Sequence, residues 1–258
     1  MAPAYGPTRT AVPSVSRRIR MWTLATATFA LMMLVAGAML TVAVLTLFQA
    51  RRFYSEVMAK WSGRAVLWLW GIDVVLHQDH PFPETQTIYI SNHTSTLDIF
   101  VLISLGLPNT RYFLSGFLRK FIPIGVMGYV IGIFWISPQE QPDKRIRCFQ
   151  AAERALRRTG ESVYLSPEGE RVITGRIGHF NKGAFHLATG LHAPIVPFYI
   201  QIPRASDPGL GIDAQAGTAH VFVKPAIVTR DWTPADLERN RDKVRERFVG
   251  FHEQHKPI

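Results

Sequence analysis

From Met21 to Phe48 the chain runs without a single charged side chain. Such a run must be buried in a large core or handed to lipid, and as a helix it exceeds the roughly 20 residues needed to cross the hydrocarbon of a bilayer. Arg17, Arg18 and Arg20 precede it, as they would in a secretory leader. It outruns a leader's apolar core of about 7–15 residues, however, and no clear small-residue cleavage site closes it. We therefore read residues 21–49 as a retained membrane anchor. Arg51 and Arg52 follow, so both ends are basic and the Lys/Arg asymmetry that orients a single span is weak. Gly37, near the middle, leaves a shallow helical hairpin as the second topology.

The segments on either side of the anchor are less apolar. Residues 1–20, rich in Pro, Ser, Thr and Arg, read as a basic tail without fixed structure. Residues 50–80 mix Trp61, Trp68 and Trp70 with Lys60 and Arg64, which predicts a helix at the membrane interface or packed on the next domain, then a linker around His80-Pro81-Phe82-Pro83. Beyond it, strand-like runs at 87–91, 112–114, 133–136, 162–165 and 195–201 alternate with helical stretches at 95–105, 144–158 and 182–188. Late strands at 220–223 and 226–229 follow. This alternation predicts an α/β domain over 81–230, a central mixed sheet flanked by helices. Thr233-Pro234 then opens a C-terminal helix within 231–258.

The charge narrows the partners. A formal charge of +10 and a pI near 10.1 call for a polyanion, either a bilayer containing acidic lipids or nucleic acid. Cys148 stands alone, so neither a cysteine zinc site nor an intrachain disulfide can form, and no RNA-binding aromatic motif occurs. A lipid surface is the expected partner, and nucleic acid is not.

The chemistry concentrates where an apolar run, Ile88-Tyr89-Ile90, stops at Ser91-Asn92-His93-Thr94-Ser95-Thr96 and a second begins beyond Asp98. The pattern reads as strand, tight loop and helix start, an exposed position fixed by rigid elements. His93 in that loop, with Asp98 five positions on, fits a general base held in one tautomer by a carboxylate. Asn92, Ser95 and Thr96 can cap or brace the loop. A second polar block, Ser166-Pro167-Glu168-Gly169-Glu170-Arg171, follows the predicted strand at 162–165. Gly permits close backbone approach, and Arg offers a fork matched to phosphate.

Together the two blocks resemble the glycerolipid acyltransferase superfamily, which includes the 1-acylglycerol-3-phosphate O-acyltransferases. Its first block, Asn-His, four residues, Asp, is matched by Asn92, His93 and Asp98; its third, Phe-Pro-Glu-Gly-Thr-Arg, by Pro167, Glu168, Gly169 and Arg171. The stretch 116–125, with Arg119 and Lys120, resembles the second block, and Lys182-Gly183 with Ala193 to Pro197 the fourth. The resemblance covers about 87–201. It implies transfer of a fatty acyl group from acyl-CoA or acyl-carrier protein to a lysolipid hydroxyl, most simply that of 1-acylglycerol 3-phosphate, with no cofactor or metal. His93 and Asp98 would be catalytic, while Arg119, Lys120, Glu168, Gly169 and Arg171 would bind the acceptor. The expected setting is the inner, cytoplasmic membrane with the catalytic domain on its cytoplasmic face.

Three positions depart from the pattern. Ser137 stands where the second block usually ends in Arg, Ser166 replaces Phe, and Glu170 replaces Thr. A carboxylate beside a phosphate site is unfavourable unless a cation neutralises it. Another lysolipid acceptor (zwitterionic, amino-acid lipid or glycolipid) therefore stands as an alternative, and so does a non-catalytic, membrane-anchored lipid-binding protein of the same fold.

Overall fold

The computed structural model describes residues 14–255. Residues 1–13 of the expected tail lie outside it, and the remainder of that segment is helical. Helix α1 spans Val15–Leu45, starting at Ser14, whose hydroxyl accepts from the Arg17 N–H at 3.3 Å. Straight-chain apolar residues and alanines sustain it without an internal Pro. It ends at Thr46, with Leu47 and Phe48 in the left-handed region.

A π-helical turn, Phe53–Ala59, leads into α2, Lys60–Leu69, and Gly71 at φ +70° turns the chain into strand β1, Ile72–His77. This strand lies inside the segment read above as helix and linker, so the sheet begins before the expected boundary at residue 81. Alternation of Ile72, Val74 and Leu76 with exposed Asp73, Val75 and His77 was its signal, hidden behind the tryptophan pattern upstream. The elements that follow are β2 (Ile88–Ser91), α3 (Asp98–Leu105), β3 (Thr110–Ser115), α4 (Ile122–Ile131), β4 (Phe134–Ile136) and α5 (Pro142–Thr159). After them come β5 (Ser162–Leu165), α6 (Gly183–Leu191), β6 (Ile195–Gln201), β7 (Gly217–Val223) and α7 (Leu237–Gln254). In place of the last expected strand, at 226–229, a lone bridge joins Ile227 to Ile195.

The seven strands form one mixed sheet in the order β1-β7-β6-β2-β5-β3-β4, parallel throughout except for the β6–β7 pair. Central strands alternate between two apolar layers. Tyr89, Val196, Phe198 and Ile200 face a core shared with α1 to α4, while Ile88, Ile90, Ile195 and Tyr199 face one shared with α5 to α7. Burying each such side chain contributes about 1.5–3 kcal/mol, which is why β2, β5 and most of β6 read as continuous apolar runs.

Helix α1 belongs to the first layer. Met32, Ala36, Met39 and Ala43, spaced four, three and four, form its buried stripe against α2 and α4, and the Trp70 indole N–H donates to Thr28 Oγ1 at 2.8 Å. Its other side stays bare, with Phe29, Leu34, Leu40 and Val44 exposed. Among the described residues it is the one helix long and apolar enough to cross a membrane, by length and composition. Helix α2 packs on the domain, the second of the two expectations for it. Gly63 lets it approach α3 within backbone contact, while Trp61 and Trp68 remain exposed.

Candidate active site

Strands β2 and β5 are parallel neighbours, with Ile90 paired to Leu165. Their C-terminal ends therefore open on the same edge of the sheet, the usual crevice of a parallel α/β layer. Continuing the register brings His93 opposite Glu168, and the two polar blocks meet there.

The loop after β2 is locked before any substrate arrives. The Asn92 side chain continues the ladder, its Nδ2 donating to the Ile200 carbonyl at 2.9 Å and its Oδ1 accepting from the Ile200 N–H at 2.8 Å. Asp98, in the first turn of α3, is buried, and its Oδ2 accepts from the N–H groups of Thr94 at 2.8 Å and Ser95 at 3.0 Å. The same oxygen lies 2.8 Å from His93 Nδ1. A carboxylate there selects the tautomer with the proton on Nδ1, which leaves the Nε2 lone pair free on a side chain that stays 30% exposed. The His93 N–H donates to Glu168 Oε2 at 2.6 Å and its carbonyl accepts from Val172 N–H at 2.7 Å. Glu168 Oε1 accepts from Gly178 N–H at 2.6 Å. Burial pushes the Glu168 carboxyl up to about 7, against the pull of those two N–H groups.

His93 opens onto a cavity of about 630 Å³. One wall is apolar, built by Leu102, Tyr112, Phe113, Leu114, Phe149 and Ala184, and the mouth is set by Phe117, Phe121, Leu210 and Ile212, all exposed. The polar wall carries Thr96, Ser137, Gln139, Arg145, Ser166, Gly169, Glu170, Arg171 and Asn181. Arg171 donates to Thr96 Oγ1, and that hydroxyl is also 2.8 Å from the Gly211 carbonyl. The loop between β6 and β7 is thereby tied to the catalytic loop. Such a cavity, apolar at depth with a few polar groups on one side, suits a fatty chain with a polar end.

The family model described as Acyltransferase matches residues 73–201, half of the chain. The chain belongs to the glycerolipid acyltransferase superfamily. Members similar to it include a chloroplast 1-acyl-sn-glycerol-3-phosphate acyltransferase from Brassica napus, 31% identical over 74% of this chain and 55% of that one. A chloroplast homologue from Arabidopsis thaliana is 32% identical over 57% of this chain and 40% of its own length. This acyltransferase-family chain thus spans about half the length of these curated relatives. The crystal structure of 1-acyl-sn-glycerophosphate acyltransferase from Thermotoga maritima superposes with a TM-score of 0.73, covering 94% of this chain and all of that one at 19% identity, a likeness of fold.

Within this acyltransferase fold the residues singled out from sequence divide into two groups. His93, Asp98, Gly169 and Arg171 converge on the cavity. Glu168 stands behind its wall with both oxygens committed to backbone N–H groups. Arg119 and Lys120 are exposed on a 3-10 turn, Leu118–Lys120, and the cavity is lined by its neighbours Phe117, Leu118 and Phe121 instead. Gln139 and Arg145 were missed, because nothing local distinguishes them from ordinary polar residues around the start of an amphipathic helix. The lone Cys148 faces the Trp135 carbonyl at 3.4 Å, and burial raises its thiol pKa.

Proposed function

We propose that this protein is an O-acyltransferase that moves a fatty acyl group from a thioester, acyl-CoA or acyl-carrier protein, to the free hydroxyl of a lysolipid, with 1-acylglycerol 3-phosphate as acceptor and phosphatidate as product. The observation that carries the reading is the 2.8 Å contact of His93 Nδ1 with buried Asp98, which leaves Nε2 facing an apolar cavity. The names of the relatives support the choice of acceptor.

In this mechanism His93 Nε2 takes the proton of the acceptor hydroxyl as its oxygen attacks the thioester carbonyl. Asp98 holds the ring and stabilises the imidazolium. Collapse of the tetrahedral adduct breaks the carbon–sulfur bond, and the departing thiolate recovers the proton from His93. No acyl-enzyme forms in this mechanism, and both proton transfers run through His93 as Asp98 orients it.

The protein works at a membrane surface with α1 lying in the interface. Arg17 Nε is 2.6 Å from Asp213 at one end of the helix, and Met39 and Ala43 near the other are fully buried in the core shared with α2 to α4. A helix whose two ends both touch the catalytic layers does not cross a bilayer and leave the domain on one side. Its bare face with Leu34 and Val44, together with Trp61 and Trp68, supports immersion in one leaflet. The basic surface favours acidic lipids.

The decisive experiment supplies purified protein with labelled acyl-CoA or acyl-carrier protein and a panel of lysolipids. Labelled phosphatidate from 1-acylglycerol 3-phosphate is expected. No transfer to any lysolipid from either donor would overturn the reading.

A further inference from the structure

Taking the acyl-transfer reading as given, we propose that Arg145 is the residue that reads the phosphate of the acceptor, in the place left open by Ser137. Arg145 and Arg171 are the arginines of the cavity wall, while Arg119 and Lys120 are turned away from it. Neither cavity arginine has a carboxylate of the described residues within ion-pair distance. Arg171 is held by the Thr96 hydroxyl, and Arg145 by the Ser137 carbonyl, which accepts from its Nη1 at 3.1 Å. The Arg145 fork is thus anchored by one N–H at the end of β4, where Ser137 itself lines the cavity, and its remaining N–H groups have no acceptor among the described residues.

A bound anion suits its placement: Arg145 occupies the first turn of α5, the positive end of the helix, beside Lys144 and with Asp143 the one acidic residue of that turn. Arg171 places a second half-exposed guanidinium in the same wall, and a bound phosphate dianion neutralises both. Ser166 lines the same wall, its hydroxyl oxygen buried and without a hydrogen-bond partner among the described residues. The ligand class that fits is a lysolipid bearing a phosphate monoester.

The test compares KM for 1-acylglycerol 3-phosphate and for phosphate-free 1-acylglycerol, in the same micelles and with the same thioester donor. In Arg145→Gln the KM for the phosphate acceptor is expected to rise about 10- to 100-fold with kcat largely kept, while the KM for 1-acylglycerol stays put. Arg145→Lys, which keeps charge but loses the fork, falls between. Adding Ser137→Arg to Arg145→Gln returns a guanidinium to the same end of β4 and restores the preference, a rescue that a purely structural role would not give. Equal loss toward both acceptors, or an unchanged KM ratio in Arg145→Gln while the wild type still prefers the phosphate acceptor, would overturn the role of Arg145 alone. A wild type inert toward both acceptors with either donor would instead overturn the acyl-transfer reading on which it rests.

Discussion

Glu168 grips the backbone of His93 from the neighbouring strand end, its Oε2 accepting the His93 N–H at 2.6 Å while Oε1 takes that of Gly178. Only the ionised carboxylate offers an acceptor to both. Its folded pKa of about 7 lies above the ordinary 4.5, so the folded state holds the proton more tightly and unfolding releases it between those values. The contribution of Glu168 to stability is therefore greatest below pH 4.5 and is lost as pH rises through 7. Glu168→Gln removes this dependence. Urea unfolding from pH 5 to pH 8 should show the variant gaining on the wild type, by up to about 3 kcal/mol. Turnover at pH 8 should nonetheless fall about tenfold or more, because an amide NH2 would face one of the two donors and displace the loop.

His93→Ala removes the proposed base and should lower kcat by about 10²–10⁴ with the fold intact, as judged by thermal unfolding. Asp98→Asn should cost a comparable factor. An amide at that position puts a donor where three N–H groups now converge on one oxygen, or rotates and leaves the imidazole free to take the other tautomer. Steady-state transfer assays check both.

The two faces of α1 should respond oppositely to charge. Leu34→Asp with Val44→Asp, both on the bare side at 74% and 55% exposure, should abolish co-sedimentation with acidic vesicles and change stability by less than about 0.5 kcal/mol. Met39→Asp, fully buried against the catalytic layers, should instead destabilise the protein by about 3 kcal/mol or more in denaturant titration.

Away from the cavity, Glu161, just before β5, holds two arginines, with Arg51 Nη1 at 3.2 Å and Arg111 Nη1 at 3.7 Å. Arg111 also lies over the Phe134 ring at 3.8 Å, and burial lowers its pKa to about 10. Glu161→Gln leaves that guanidinium without a counter-charge and should cost about 3 kcal/mol in urea unfolding, with KM for either substrate unchanged.

What could be read from the chain depended on whether the signal was local. Strands 162–165 and 195–201 match β5 and β6 because uninterrupted apolar runs bounded by polar turns leave little choice. His93 and Asp98 lie five residues apart, so one loop suffices to bring them together. Glu168 was legible as a site residue but not in what it touches, since its partners are backbone groups 75 and 10 residues away that only the sheet register delivers. Arg119 and Lys120 looked apt by charge, yet a three-residue turn sends the apolar neighbours inward instead. Arg145 carries no local mark at all: its relation to Ser137 exists because β4 and α5 fold back on each other.

Arg17 clasping Asp213, and the Trp70 indole resting on Thr28, make the first helix masonry as well as the proposed mooring. Cutting the chain before residue 50 to win a soluble enzyme would uncover the faces of α2 and α4 that carry Val66 and Val130 and free the loop between β6 and β7 at the cavity mouth, so the shortened protein should aggregate instead of behaving as a free catalyst. On the proposed reading, detergent or lipid should serve the architecture of this molecule as much as its substrate.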